Sequence, residues 1–330
     1  MSIPILTAQM LLSEHKYRPI QGKVVTIARH TVDLTGDEMD QLLSTMGVPK
    51  RSGVQYEIDT ETLNQKRETI TQESFFGAFT DAKVLSLDIN DYEGADIVCD
   101  IQDKIPRRYR NMADFVYDGG SLDNIFDVAG ALRNVARMVR PGGRFFAMNY
   151  GGSHQTAYMK FSLDWFMDFF ALNRWNDCKC YISYFPNTLG FTSREQKFYD
   201  SFAQSPYYQT VYSFNPYVEH ATGVGYDCSS IEVQARHLIY CLAEKGKSST
   251  EDRNPVQKHY RTDPENNRTC NESAKRFLNS PRPLFANTTP FDPETLPRID
   301  SSDYPEQMKP VAVLDRGYLT EIGFAGKPTC

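Results

Sequence analysis

Asp118-Gly-Gly-Ser-Leu-Asp-Asn-Ile-Phe-Asp127 and Val139-Arg-Pro-Gly-Gly-Arg-Phe-Phe-Ala-Met148 decide how this chain is read. The first closes the apolar run Ala113-Asp-Phe-Val-Tyr-Asp118, a buried strand that ends in an acid and two glycines. Between the two stretches, Ile125, Val128, Ala129, Leu132, Val135, Ala136 and Val139 recur at helical spacing. Pro141-Gly-Gly predicts a tight turn, and Gly143 to Asn149 a second buried strand. Strand, amphipathic helix and strand in this order make a parallel-sheet unit. Open α/β sheets hold ligands outside the carboxyl ends of their strands. Here those ends carry Asp118, Gly119, Gly120, Asn149 and Gly151.

The same rhythm extends in both directions. Lys23 to Ala28 reads as a first strand, Lys83 to Asp88 as a second and Ala95 to Asp100 as a third. Thr35-Gly-Asp-Glu38 has capping-box spacing; Met39, Leu42, Leu43 and Met46 follow at helical spacing and Gly47 suits the helix end. Ser162 stands at the start of an aromatic helix, and Ala235 to Ala243 reads as a late strand. The expected class is α/β, with a mostly parallel sheet and helices on both faces, over residues 1–246. Residues 184–230, rich in Tyr, Phe, Ser and Gly, are expected to be an insertion (Tyr184, Phe185, Phe191, Tyr199, Tyr207, Tyr208, Tyr212, Phe214, Tyr217), either a lid or a core or interface cluster. Residues 247–330 hold ten of the eighteen prolines. That predicts an extended tail without long helices, packed on the core or partly disordered, with Phe285, Phe291, Leu314, Tyr318 and Phe324 as anchors.

Composition excludes some functions. The balance of 36 basic and 42 acidic residues gives −6, which disfavours nucleic acid as the partner. No apolar run reaches the ~18 residues of a membrane span, and the first residues lack a secretory pattern, so a cytoplasmic location is expected. Seven cysteines are irregularly spaced, and Cys178-Lys-Cys180 finds no second pair or nearby His to complete a zinc set, so no metal is expected. Cys99 and Cys241 fall in apolar strands and read as buried thiols.

Three acids at strand ends carry the candidate chemistry, each with a plainer reading beside it. Asp88 is placed to accept from both hydroxyls of a nucleotide ribose, or to cap the next turn. Asp100 is placed to meet an adenine amino group, or to be a solvated turn acid. Asp118-Gly119-Gly120 admits a ligand close to the backbone, or forms a tight turn before the helix. Together, Val84-Leu-Ser-Leu-Asp88, Val98-Cys-Asp100, Phe115-Val-Tyr-Asp118-Gly-Gly and Met138-Val-Arg-Pro-Gly-Gly-Arg-Phe resemble the class I S-adenosylmethionine-dependent methyltransferases. More narrowly, Tyr17-Arg-Pro-Ile-Gln-Gly-Lys-Val-Val and the acidic stretch Ser86 to Asp96 look like an uncharacterised bacterial branch of that family. The resemblance covers roughly residues 17–245. It implies a Rossmann-like seven-stranded sheet, S-adenosyl-L-methionine as cofactor, and cofactor contacts at Ala28, Arg29, His30, Asp88, Ile89, Asp100, Ile101, Asp118, Gly119 and Gly120.

One departure stands out: the family's first strand runs into a glycine-rich loop, and here the stretch is Thr26-Ile-Ala-Arg-His-Thr-Val32. Ala28 is its smallest residue; Arg29 pairs either with the cofactor carboxylate or with a surface acid. The expected activity is methyl transfer to a hydroxyl or amine of a small metabolite or glycan precursor. A non-catalytic methyltransferase-like binding or scaffold protein is the alternative. Nicotinamide chemistry ranks last, since no Gly-x-Gly-x-x-Gly follows the first strand. His154, after the fifth strand, is the candidate base with Tyr158 to assist or orient it; the bland reading makes His154 a backbone-bonded loop residue. His30 either faces the site or only shapes the loop, and His237 is expected to be structural.

Overall fold

Adjacent residues of the central strands are apolar on both sides, as a sheet covered on two faces requires. In the computed structural model, Val24, Phe115, Tyr117, Phe146 and Met148 face one core layer, while Val25, Ile27, Val116, Phe145 and Ala147 face the other. The structure describes residues 2–62, 68–151, 157–184, 211–214, 237–285 and 288–290.

In chain order the elements are β1 (Ser2–Ile3), α1 (Ile5–Tyr17), β2 (Lys23–Ile27), β3 (Thr31–Val32), α2 (Gly36–Met46), α3 (Gln72–Gly77), β4 (Lys83–Asp88), β5 (Ile97–Val98), β6 (Ala113–Gly119), α4 (Val128–Met138), β7 (Val139–Tyr150), α5 (Leu163–Leu172), β8 (Asp177–Tyr184), β9 (Val211–Phe214), β10 (His237–Glu244), α6 (Pro264–Leu278) and β11 (Thr288–Pro290). Among the described residues the main sheet has nine strands, ordered β11-β9-β8-β10-β7-β6-β2-β4-β5. Seven of these, from β8 to β5, are the Rossmann-like sheet, in which β10 alone runs opposite to the other six. β9 and β11 extend it at one edge. α1, α2 and α3 supply one core layer; α4, α5 and α6 supply the other.

Local signals explain the helix ends. Thr35 and Glu38 form the reciprocal capping box, and Gly47 closes α2 at φ 61°, a left-handed conformation that glycine adopts freely. Asp127 caps α4 by accepting from the Gly130 N–H at 2.9 Å. Ser162 occupies the N-cap of α5 but makes no side-chain bond to it.

Two expectations change. The Pro141-Gly-Gly turn lies within β7: Ala113 pairs with Val139 and Phe115 with Arg144, so four residues bulge opposite one. Residues 264–278, expected to be extended, form a 15-residue helix. Pro264 sits in its first turn, where the missing N–H costs nothing, and Asp263 caps it by accepting from Glu265 at 2.9 Å. Counting prolines across the tail hid a proline-free interior. Of the expected tail anchors, Phe285 stacks on Tyr181 with ring centroids 4.7 Å apart; Phe291, Leu314, Tyr318 and Phe324 lie outside the described residues. So does most of the aromatic insertion. No helix among the described residues is long and apolar enough to cross a membrane.

Candidate active site at the strand tips

The chain crosses from one side of β2 to the other between β5 and β6, so the topological switch point lies between the tips of β2 and β6. Ala28 ends β2 with φ +67°. That is the left-handed region, which costs a residue with a Cβ about 1–2 kcal/mol. Its N–H donates to the Leu87 carbonyl at 2.6 Å, tying the β2 tip to β4. Ala28 therefore takes a conformation that glycine usually supplies.

The next two residues turn inward. Arg29 donates to the Glu73 carboxylate at 3.1 Å, the acid-pairing arrangement weighed for it above. His30 is fully buried, and its Nε2 accepts from the Gly119 N–H at 3.0 Å. Burial in apolar surroundings pushes its pKa down to about 3, so the ring is neutral with its proton on Nδ1. A Cβ on Gly119 would lie 2.5 Å from His30 Cδ2, 2.6 Å from the Ser2 carbonyl oxygen and 2.6 Å from the Tyr117 hydroxyl. Internal packing thus demands this glycine. Gly120, at φ +90°, is different: its nearest neighbour to a built Cβ is the Met148 carbonyl, 3.9 Å away. The Ser121 hydroxyl donates to the Ile27 carbonyl, a second stitch across the switch point.

Toward the sheet edge the tips are open. Asp88 ends β4 half-buried, and one carboxylate oxygen accepts from the Ile89 N–H at 2.6 Å. Ile89 beside it is 59% exposed. Asp100 accepts from the Gln102 backbone at 2.9 Å, an Asx turn after β5, and Ile101 is buried in the core under it. Glu93 lies close enough for the Asp88 charge, with burial, to raise its pKa.

At the tips of β6 and β7 three side chains form a buried polar cluster. Asp118 accepts from Ser121 N–H at 2.8 Å, Leu122 N–H at 3.2 Å and Asn149 Nδ2 at 2.7 Å. Asn149 Oδ1 accepts from the Asp123 N–H at 3.2 Å, and the Asp123 carboxylate accepts from Tyr150 N–H at 3.2 Å and Asn124 Nδ2 at 2.7 Å. Burial raises the Asp118 pKa to about 6 against the opposing effect of those hydrogen bonds. Burial and the neighbouring Asp118 charge raise Asp123 to about 7. Asp123 stood in the opening stretch unweighed: its distance from the strand end gave no sign that the 3-10 turn Leu122–Asn124 folds it back.

His154 lies outside the described residues. Tyr158 is 74% exposed on the chain that returns from that segment toward α5. His237, expected to be structural, is buried with its ring against Gly151, where a Cβ would lie 2.5 Å from Nε2.

No family model and no curated protein matches the chain. Among solved structures, two of phosphoethanolamine N-methyltransferase 2 from Haemonchus contortus are similar to it. One is a complex with phosphomonomethylethanolamine and S-adenosylhomocysteine (13% identity, 72% of this chain, 53% of that one, TM-score 0.35). The other is a complex with S-adenosyl-L-methionine (12%, 72%, 52%, TM-score 0.36). A putative zinc-dependent alcohol dehydrogenase from Rhodobacter sphaeroides is similar over 44% of this chain and 46% of that one, at 12% identity and TM-score 0.25. The chain spans about half the length of these structures. At such overlap the likeness carries no argument about function, which rests on the strand tips themselves.

Proposed function

We propose that this chain is an S-adenosyl-L-methionine-dependent methyltransferase that acts on a hydroxyl or amine of a small metabolite or glycan precursor. The observation that supports it is the left-handed Ala28 beside the half-buried Asp88 carboxylate and exposed Ile89. A carboxylate at a strand tip with a spare oxygen suits a ribose diol; an exposed aliphatic next to it suits an adenine face. Ala28, Asp88, Ile89, Asp100 and Gly120 are the residues proposed to hold the cofactor, with Arg29 in reach once freed from Glu73. His30, Ile101, Asp118 and Gly119 shape the tips from beneath.

The bound cofactor supplies an electrophilic methyl group. The chain's own part is to position the acceptor, exclude water and take the acceptor's proton, for which His154 is proposed, with Tyr158 orienting it. The Asp118–Asn149–Asp123 cluster fixes the end of β7 from which the His154 segment continues.

Calorimetry with S-adenosyl-L-methionine and S-adenosylhomocysteine tests the reading: binding of either, abolished in Asp88→Ala, is the expected result. The His30–Gly119 and Ser121–Ile27 stitches favour a second reading, a methyltransferase-like binding protein without catalysis. Absence of binding to both ligands by the folded chain decides for it.

A further inference from the structure

Cys178-Lys-Cys180 looked incomplete in sequence because its third partner lies 61 residues further on, across a strand pair. β8 points Cys178 and Cys180 to one face, and the antiparallel register sets Cys241 of β10 opposite Cys180. The Cys178 sulfur lies 3.9 Å from that of Cys180 and 3.7 Å from that of Cys241, and all three are within 4.8 Å of one another. All three are buried in the layer that α5 covers. The Leu163 carbonyl in the first turn of α5 lies 3.8 Å from the Cys180 sulfur.

A tetrahedral cation with sulfur ligands at about 2.3 Å sets its sulfurs about 3.8 Å apart. Two of the three edges bracket that value, and the third is no longer than 4.8 Å. Three sulfurs with no carboxylate or imidazole among them select a soft cation over calcium or magnesium. Charge narrows the choice further. Three thiolates leave one net negative charge around a divalent ion and two around a monovalent one, and the smaller excess suits an apolar layer.

We propose that Cys178, Cys180 and Cys241 form a three-thiolate structural site for one divalent thiophilic cation of the zinc class, pinning β8 and β10 beneath α5. Cys241 pairs with Ala147 in the middle of β7, two residues short of Asn149, so the site lies below the strand tips and apart from the proposed cofactor surface. It stands or falls independently of the methyltransferase reading. Because the ligands must lose protons to bind, occupancy falls in acid.

The test uses the full chain, produced with zinc in the medium and dialysed against metal-free buffer at neutral pH. Elemental analysis is expected to find about one zinc per chain. Cadmium exchanged into the same protein is expected to give thiolate-to-metal charge-transfer absorption in the ultraviolet. Cys241→Ser should lose at least about nine-tenths of the metal while Cys99→Ser, at a half-buried thiol outside the cluster, keeps it. Should Cys241→Ser fail to fold, the wild-type measurements decide alone. A folded wild-type chain that retains no zinc and shows no cadmium band overturns the site and leaves three packed thiols.

Discussion

The two ends of the sheet bury charge in opposite ways. At the amino end, Glu14 of α1 pairs with Arg144 of β7 and with Arg282, which also reaches Asp177 of β8 at 2.7 Å and Glu244 of β10 at 3.1 Å. Arg18 joins through Glu244 at 3.1 Å. Three acids meet three arginines, and Arg144 spends its remaining donors on the Arg18 and Pro19 carbonyls at 2.8 Å. At the carboxyl end, Asp118 and Asp123 share an asparagine, and no cation among the described residues bonds to them. The balanced cluster pairs each acid with an arginine and holds the architecture. The unbalanced one pushes protons onto its acids near neutral pH, which is where chemistry becomes possible.

The largest effect should come from unbalancing the amino end. Glu14→Ala leaves the buried Arg144 without its carboxylate and takes one of three from Arg282, and it is expected to cost about 3–5 kcal/mol in denaturant unfolding. A loss below about 1 kcal/mol would show that water or the neighbouring carbonyls satisfy those arginines already.

Next comes the pH response of the carboxyl end. Both acids have folded pKa values above their unfolded ones, so their contribution is fully present below about pH 4 and is lost as pH rises through about 6 for Asp118 and about 7 for Asp123. Relative to Asp123→Asn, wild-type stability should therefore fall between about pH 4 and 8, by on the order of 3 kcal/mol. Parallel stability curves for the two proteins would remove Asp123 as a strained acid.

Asp88 sharpens the contrast from the ligand side. Among the described residues its carboxylate bonds only its own neighbour's backbone, so Asp88→Ala should change stability by less than about 0.5 kcal/mol while weakening S-adenosyl-L-methionine at least about tenfold. Equal losses in both would make it a turn residue alone. The smallest effect is expected at Ala28→Gly. Relief of a left-handed alanine, offset by the glycine's freedom when unfolded, should stabilise the chain by about 0.5–1 kcal/mol in urea.

What the sequence disclosed follows the range of each interaction. The α2 capping box, the Gly47 helix end and the strand runs at 23–27, 83–88 and 113–119 depend on residues within a few positions, and all were legible. Three groupings were not: His30 with Gly119, Cys178 with Cys241, and Glu14 with Arg282. Each joins residues from separate strands or helices, and no local pattern marks them. The Asp88 and Asp100 tips fell between. Their positions were readable but their bonding was not: each gives one carboxylate oxygen to the turn that follows it.

Arg282 has a consequence for how the molecule comes into being. α1 leaves the ribosome well before Arg282, the partner that completes its Glu14 from 268 residues behind. Closure of so distant a contact is slow and must wait for most of the polypeptide to be made. Shortening the protein ahead of residue 282 is therefore a lesion in the first helix as much as in the tail, and nascent chains paused before that point carry an exposed, half-paired base to the sheet.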